Sequence, residues 1–190
     1  MTVRVVGFDG DDTLWHNEQL FADTQHQLRE LLGHYADVAT IDAKLLEVER
    51  RNLAIFGYGV KGFALSMIET AIEISDSRVS ARDIHQIVMM GKSLLEHPIE
   101  LLDGVADVVD ELAGRHRLML VTKGDLMHQE SKIAASGLAD RFWQVEIVSE
   151  KTGSNRITLS PSCDLRYIPR STADEKLRVL SRLREKLVAS

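Results

Sequence analysis

The feature that most constrains this chain is a short apolar segment that ends abruptly in carboxylates. Residues 3–8 read Val-Arg-Val-Val-Gly-Phe, and residues 9–13 read Asp-Gly-Asp-Asp-Thr. A β-branched run of this length is typical of a strand that is buried on both faces of a parallel sheet. In such sheets the reacting groups collect just beyond the carboxyl ends of the strands. The segment therefore predicts an α/β fold with Asp9 and Asp11 at the reacting edge.

The rest of the chain shows two different patterns of apolar residues. Apolar residues recur at helical spacing from residue 17 to about residue 95, and a serine N-cap at Ser80 opens the last of these helices. From residue 102 onward, helical segments alternate with short apolar runs at 118–122 and 145–148. We therefore expect a Rossmann-like parallel-sheet core formed by residues 1–15 and 97–190, with an all-helical cap inserted as residues 16–96.

Three glycines interrupt the helical block. Residues 57–62 read Gly-Tyr-Gly-Val-Lys-Gly, which matches the spacing of the dinucleotide-binding fingerprint. That fingerprint requires a strand before it, and a helical pattern precedes it here. We interpret the segment as a turn between two cap helices and expect Tyr58 and Lys61 to contact the substrate.

Polar residues follow the later strands as well as the first. Thr122, Lys123 and Gly124 come at the end of the 118–122 run, and Lys151 comes just after the 145–148 run. Because the carboxyl ends of parallel strands meet at one edge, we expect these groups to lie near Asp9. Thr122, Lys123 and Gly124 are the predicted substrate-binding residues of the core.

The same segments resemble the motifs of the haloacid dehalogenase superfamily. Phe8–Trp15 is similar to its first motif, DxDxT after an apolar strand, and Leu120–Asp125 resembles its second. Ser149–Thr152 resembles its third motif, a lysine, so the resemblance covers residues 3–152. It implies a helical cap of the C1 type, and the DDTLW and TKGD forms favour the phosphatase and nucleotidase-like branch.

The resemblance also implies catalytic roles, and the chemistry of the side chains suits them. Asp9 is the expected nucleophile, which forms an aspartyl-phosphate. Asp11 protonates the leaving oxygen and later accepts a proton from water. The Thr122 hydroxyl and the Lys151 ammonium stabilise negative charge on the phosphoryl oxygens. The expected cofactor is Mg²⁺, held by the Asp9 carboxylate and the backbone carbonyl of Asp11.

These roles predict a Mg²⁺-dependent phosphatase that acts on a small phosphorylated metabolite. Displacement of a halide needs no proton donor, so the acid at Asp11 favours a phosphatase over a 2-haloacid dehalogenase. The other alternative is an impaired or non-catalytic relative that binds a phosphorylated ligand or a protein partner.

The last part of the chain departs from the family pattern. The fourth motif, an apolar strand that ends in Gly-Asp or Gly-Asn, is not found after Lys151, and Asp164 is only an improvised substitute. We therefore expect an incomplete or irregular C-terminal part of the core and weak Mg²⁺ binding. We also expect an exposed sheet edge, which favours either association into a homo-oligomer or low stability.

Charge, apolar runs and cysteine content restrict the partners and the cellular location that we expect. The formal net charge is −6, although residues 151–190 carry nine Lys and Arg against four Asp and Glu. This balance argues against nucleic acid as a partner. No run of about 18 apolar residues or secretory leader occurs, which predicts a cytoplasmic protein without membrane association. Cys163 is the single cysteine and excludes a disulfide within the chain.

Overall fold

The computed structural model describes residues 5–148. Their contacts divide them into two compact units. The sheet unit comprises residues 5–16, 100–122 and 133–148, and the helical unit comprises Asn17–Ile99 and Lys123–Lys132. The cap boundaries given above, at residues 16 and 96, stay a prediction.

The order of elements alternates as the sequence indicates. In chain order they are β1 (Val5–Phe8), α1 (Glu18–Leu32), α2 (Val38–Phe56), α3 (Val60–Ile74), α4 (Ala81–Glu96), α5 (Val105–Ala113), β2 (Arg117–Lys123), α6 (Leu126–Ala135) and β3 (Phe142–Val148), with a 3₁₀ turn at Ala139–Arg141 before β3.

The described part of the sheet has three strands in the order β1-β2-β3. Strands β1 and β2 pair in parallel, with Val5 opposite Arg117 and Phe8 opposite Leu120. Residues of β2 alternate between buried and more exposed, and Leu118 and Leu120 are buried. A parallel sheet with helices between its strands confirms the predicted α/β, Rossmann-like class.

The expectation that β1 is buried on both faces is wrong for the described residues. Val5 is 45% exposed, and the residues of β1 alternate between exposed and half-buried. The physical reason is position, because β1 has β2 as its one neighbour in the described sheet and lies at its edge. The sequence of β1 is that of an interior strand, but a strand is buried only by what packs beside it.

Four helices of the helical unit enclose an apolar core. Helix α2 packs on α3, α3 packs on α4, and α1 contacts both α2 and α4. The buried core residues come from all four helices: Leu28, Leu32, Ile41, Leu45, Val60, Phe63, Met67, Ala71, Ile87 and Leu94. This is the pattern that the helical spacing predicts, since each helix buries one stripe.

The starts of two helices are fixed by side-chain caps. The Ser80 side chain accepts a hydrogen bond from the Asp83 backbone N–H at 3.0 Å, which confirms the predicted start of α4. The Asp37 side chain accepts from the Thr40 N–H at 2.8 Å, so α2 begins at Val38, three residues before Ile41, its first buried residue. Such caps satisfy amide groups that have no partner within the helix.

The glycine-rich segment joins α2 to α3: residues 57–59 form the predicted turn, and residues 60–62 are already the first turn of α3. Gly57 and Gly59 have φ angles of 70° and 120°, a region that favours glycine. The Gly57 N–H donates to the Leu53 carbonyl and ends α2. A helix therefore precedes the segment, and the dinucleotide fingerprint does not apply.

Among residues 5–148, no helix combines the length and the apolar character that a membrane crossing requires.

Candidate active site

The turn after β1 carries the first group of predicted site residues. Asp9 and Asp11 are half-buried, Gly10 is buried, and Asp12 is exposed with φ at 56°. The Gly10 carbonyl accepts hydrogen bonds from the Thr13 and Leu14 backbone N–H groups, at 3.2 and 2.8 Å. These bonds close a tight turn and keep the two half-buried carboxylates at the carboxyl end of β1.

A buried tryptophan underlies this turn. Trp15 is fully buried, and its indole Nε1 donates a hydrogen bond to Asp11 Oδ1 at 2.7 Å. A methyl group at Gly10 would lie 2.8 Å from Cζ2 of the same indole. The ring therefore packs directly against the turn and holds one oxygen of the Asp11 carboxyl.

Thr122 brings the end of β2 to the same turn. The Thr122 side chain is only 2% exposed, and a methyl group at Gly10 would lie 3.1 Å from its Oγ1. Within residues 5–148, this hydroxyl has no hydrogen-bond partner in the structure. A buried hydroxyl normally has a partner, so Oγ1 is a donor suited to an oxygen-rich ligand.

A second cluster lies within the helical unit. The Lys61 ammonium contacts both carboxylate oxygens of Asp125, at 3.0 and 2.9 Å. The Lys123 ammonium lies over the ring of Tyr58, 3.2 Å from its centroid. Tyr58 in the glycine turn and Lys61 in the first turn of α3 are thus joined to Lys123 and Asp125 by a cation–π contact and an ion pair.

Asp125 is the anchor of this cluster. It also accepts a hydrogen bond from the His128 backbone N–H at 3.1 Å, which caps α6. Burial pushes the pKa of Asp125 upward, but the hydrogen bonds from Lys61 and from His128 prevail and leave that pKa below its ordinary value. Asp125 is therefore held as a carboxylate that fixes Lys61.

The predicted site residues thus fall into two groups. Asp9, Asp11 and Thr122 belong to the sheet unit, where the Asp turn and Thr122 are brought together. The second group, in the helical unit, contains Tyr58, Lys61, Lys123 and Gly124. Lys151, Asp164 and the predicted irregular tail lie outside the described residues.

Two residues of these clusters were not predicted as site residues. The contact of Trp15 with Asp11 depends on the turn that places an indole four positions later beside the carboxyl. Asp125 carries a signal that sequence analysis could have used. It stands directly before α6, where an acid is a preferred N-cap.

The donor set of the Asp turn is compatible in kind with Mg²⁺. Among residues 5–148, no group of three or more His, Cys, Asp and Glu side chains could hold a metal ion. Mg²⁺ is commonly held by only one or two carboxylates together with water and phosphate oxygens. A single half-buried carboxylate at Asp9, with backbone carbonyls beside it, meets the minimum of that requirement.

Comparison with known families identifies the family of the chain. Residues 3–188 match the model of the haloacid dehalogenase-like hydrolases. The chain belongs to this family. The predicted superfamily is therefore confirmed. No curated protein matches the chain.

Solved structures agree with the assignment. A haloacid dehalogenase-like family hydrolase from Xanthomonas campestris is 50% identical, with a TM-score of 0.73 over 77% of this chain. The matched part is 62% of that protein's length, so this chain spans less than two thirds of it. YfnB from Bacillus subtilis, a HAD-hydrolase solved with magnesium, is 19% identical, covers 77% of this chain and 66% of its own, and has a TM-score of 0.52.

An L-2-haloacid dehalogenase also shares the fold. It is 15% identical, with a TM-score of 0.51 over 78% of this chain and 65% of its own. At such low identity, the similarity to this dehalogenase and to YfnB shows a shared fold and nothing about the substrate.

Proposed function

We propose that this hydrolase is a Mg²⁺-dependent phosphatase that cleaves a small phosphorylated metabolite through an aspartyl-phosphate. The observation that carries the proposal is the meeting of the Asp turn with the Thr122 hydroxyl in the sheet unit. A nucleophilic carboxylate, a second carboxyl two residues later and a buried hydroxyl donor are the groups that phosphoryl transfer needs.

The first half of the reaction joins Asp9 to phosphorus. An oxygen of the Asp9 carboxylate forms the new P–O bond, and the bond from phosphorus to the leaving oxygen breaks. The leaving oxygen takes the proton of the Asp11 carboxyl and departs as an alcohol. Asp11 is then a carboxylate, and Asp9 carries the phosphoryl group.

The second half restores both residues. The Asp11 carboxylate takes a proton from water while the water oxygen attacks phosphorus. The bond between phosphorus and Asp9 breaks, which releases inorganic phosphate and the Asp9 carboxylate. Asp11 holds the proton again, so the cycle is complete without net change in the protein.

The phosphoryl oxygens carry negative charge that must be stabilised throughout. The Thr122 hydroxyl is already buried, so it can donate to one of these oxygens without being ordered first. Mg²⁺, held by the Asp9 carboxylate and the Asp11 backbone carbonyl, would supply positive charge to the phosphoryl group. In the same proposal, Lys151 supplies a further cation.

The substrate-selecting residues in this proposal are Tyr58, Lys61, Lys123 and Gly124. The contact of Tyr58 with Lys123 and the ion pair of Lys61 with Asp125 support this role, because they tie the glycine turn to the segment that follows Thr122 in the chain.

The experiment compares Asp9→Asn with Asp12→Asn on p-nitrophenyl phosphate and on glycerol phosphate. An amide cannot attack phosphorus, so we expect Asp9→Asn to lose phosphate release by several orders of magnitude with the fold unchanged. Asp12 is an exposed neighbour in a left-handed conformation that asparagine also adopts. Asp12→Asn removes the same charge three residues away and should remain active.

Adding 2-chloropropionate as a third substrate gives each alternative a different outcome. A 2-haloacid dehalogenase would release halide from 2-chloropropionate and leave both phosphate esters intact. A non-catalytic relative would release neither phosphate nor halide with added Mg²⁺. Full phosphatase activity in Asp9→Asn would contradict the nucleophile assignment.

A further inference from the structure

The contact between Trp15 and Asp11 is unusual because it joins a core residue to a reacting group. An indole N–H is a donor only, and a buried indole needs an acceptor. Trp15 is fully buried, and the acceptor it finds is Oδ1 of Asp11, at 2.7 Å. The hydrogen bond therefore serves both residues, since it satisfies the indole and fixes the carboxyl.

The backbone around Trp15 is anchored on both sides. The Trp15 carbonyl accepts from the Asp12 N–H at 2.8 Å, within the Asp turn itself. On the other side, residues 14–16 pair with the segment at 100–102 through the bonds His16 N–H to the Glu100 carbonyl and Leu102 N–H to the Leu14 carbonyl, each 3.0 Å. The indole is thus a fixed reference against which the Asp11 side chain is oriented.

We infer that Trp15 is a positioning residue for Asp11, a role that rests on the proposed phosphatase function. The indole keeps Oδ1 as the acceptor oxygen, so the proton that passes to the leaving oxygen is carried by Oδ2. When the bond from phosphorus to the leaving oxygen breaks, that proton moves from Oδ2 to the leaving oxygen, which departs as an alcohol. Trp15 itself exchanges no proton and touches no substrate.

The inference separates substrates by their leaving groups. An alkoxide is a poor leaving group and needs the proton in the transition state, whereas p-nitrophenolate leaves without it. Loss of the indole N–H leaves the carboxyl present but less well oriented. A misplaced acid therefore slows hydrolysis of alkyl esters much more than hydrolysis of p-nitrophenyl phosphate.

The test is Trp15→Phe, which keeps an aromatic ring and removes the N–H. We expect kcat for glycerol phosphate to fall about 10- to 100-fold relative to kcat for p-nitrophenyl phosphate, with little change in KM. The matched control is Trp143→Phe in β3, because Trp143 is 58% exposed and packs against Arg117 instead. Trp143→Phe should leave the ratio of the two rates unchanged.

A second measurement uses the native tryptophan, so it does not depend on the folding of Trp15→Phe. The chain has two tryptophans and hence two indole N–H resonances in a ¹⁵N-labelled sample. Asp11→Ala should shift the Trp15 indole resonance upfield and speed its hydrogen exchange. The Trp143 resonance should stay in place.

The outcomes separate this inference from the function on which it rests. If the wild-type chain hydrolyses neither ester, the proposed phosphatase function fails, and the catalytic role of Trp15 fails with it. If Trp15→Phe slows both esters equally, the role of Trp15 is structural and the inference is overturned while the phosphatase stands. An unchanged chemical shift and exchange rate of the Trp15 indole N–H in Asp11→Ala would also overturn the inference.

Discussion

Replacing Gly10 by alanine measures how tightly the Asp turn is packed. The added methyl group would lie 2.8 Å from Trp15 Cζ2 and 3.1 Å from Thr122 Oγ1. Ordinary carbon–carbon contacts lie at about 3.5–4.0 Å, so the indole and the turn must separate by roughly 0.7 Å or more. Trp15 is fully buried and hydrogen-bonded to Asp11, so the ring cannot simply swing into solvent.

The magnitude follows from the cost of overpacking. Extra methyl groups in a well-packed core cost about 1–3 kcal/mol. For a chain of this size, each kcal/mol lowers Tm by about 2–4 °C, so Gly10→Ala should lower Tm by about 2–12 °C. Phosphatase activity should fall as well, because the methyl group displaces the indole that holds Asp11.

Thermal and urea unfolding of Gly10→Ala and Gly7→Ala supply the assay. Gly7 lies in β1, three residues earlier, and a methyl group there meets nothing within 4 Å. Gly7→Ala should stay within about 0.5 kcal/mol of the wild-type free energy of unfolding. In a Trp15→Phe background, which lacks Cζ2, the cost of Gly10→Ala should shrink. A Gly10→Ala protein as stable and active as Gly7→Ala would refute the described packing of this turn.

Two further predictions concern the helical unit. Tyr58→Ala and Lys61→Ala should change the relative kcat/KM values among phosphorylated metabolites and should affect p-nitrophenyl phosphate little; unchanged preferences across a substrate panel would reduce the glycine turn to a connector. The pKa of Asp42 is lowered, chiefly because Arg29 donates a hydrogen bond to it at 2.7 Å. The folded state therefore binds fewer protons at this carboxyl, so the stability that it contributes is present above its ordinary pKa of 3.8 and is lost as the pH falls through the lowered value. The free energy of unfolding of Asp42→Asn should lack this part of the acid dependence, and identical pH curves would contradict it.

The helices were predictable because their signals are local. The stripes of apolar residues and the cap at Ser80 depend on neighbours within a few positions, and the structure has α4 where that cap indicates. The first residue of an element was harder to predict where the apolar pattern near it is weak. Helix α2 begins at Val38 behind Asp37, three residues before its apolar stripe. Strand β3 begins at Phe142, three residues before the predicted Val145, because the polar Gln144 separates Phe142 and Trp143 from the apolar run that the prediction used.

The contacts of the site were less predictable, because they depend on tertiary structure. The approach of Thr122 to the Asp turn follows from the meeting of parallel strand ends, which sequence reasoning can anticipate. The hydrogen bond from Trp15 to Asp11 requires the exact path of the turn, which no periodicity encodes. The exposure of β1 depends on which strands flank it, and the apolar residues of β1 do not show how many neighbouring strands it has.

The assignment of residues 123–132 to the helical unit has a consequence for engineering. The chain passes between the two units at residues 16, 99, 122 and 132, so neither unit is one continuous stretch. A transplant of residues 17–99 alone into a related hydrolase would carry Tyr58 and Lys61 without Lys123 and Asp125, their partners in this structure. Chimaeras that exchange both stretches would keep the ion pair and the aromatic contact intact, so a change of specificity should be transferred by two grafted segments rather than one.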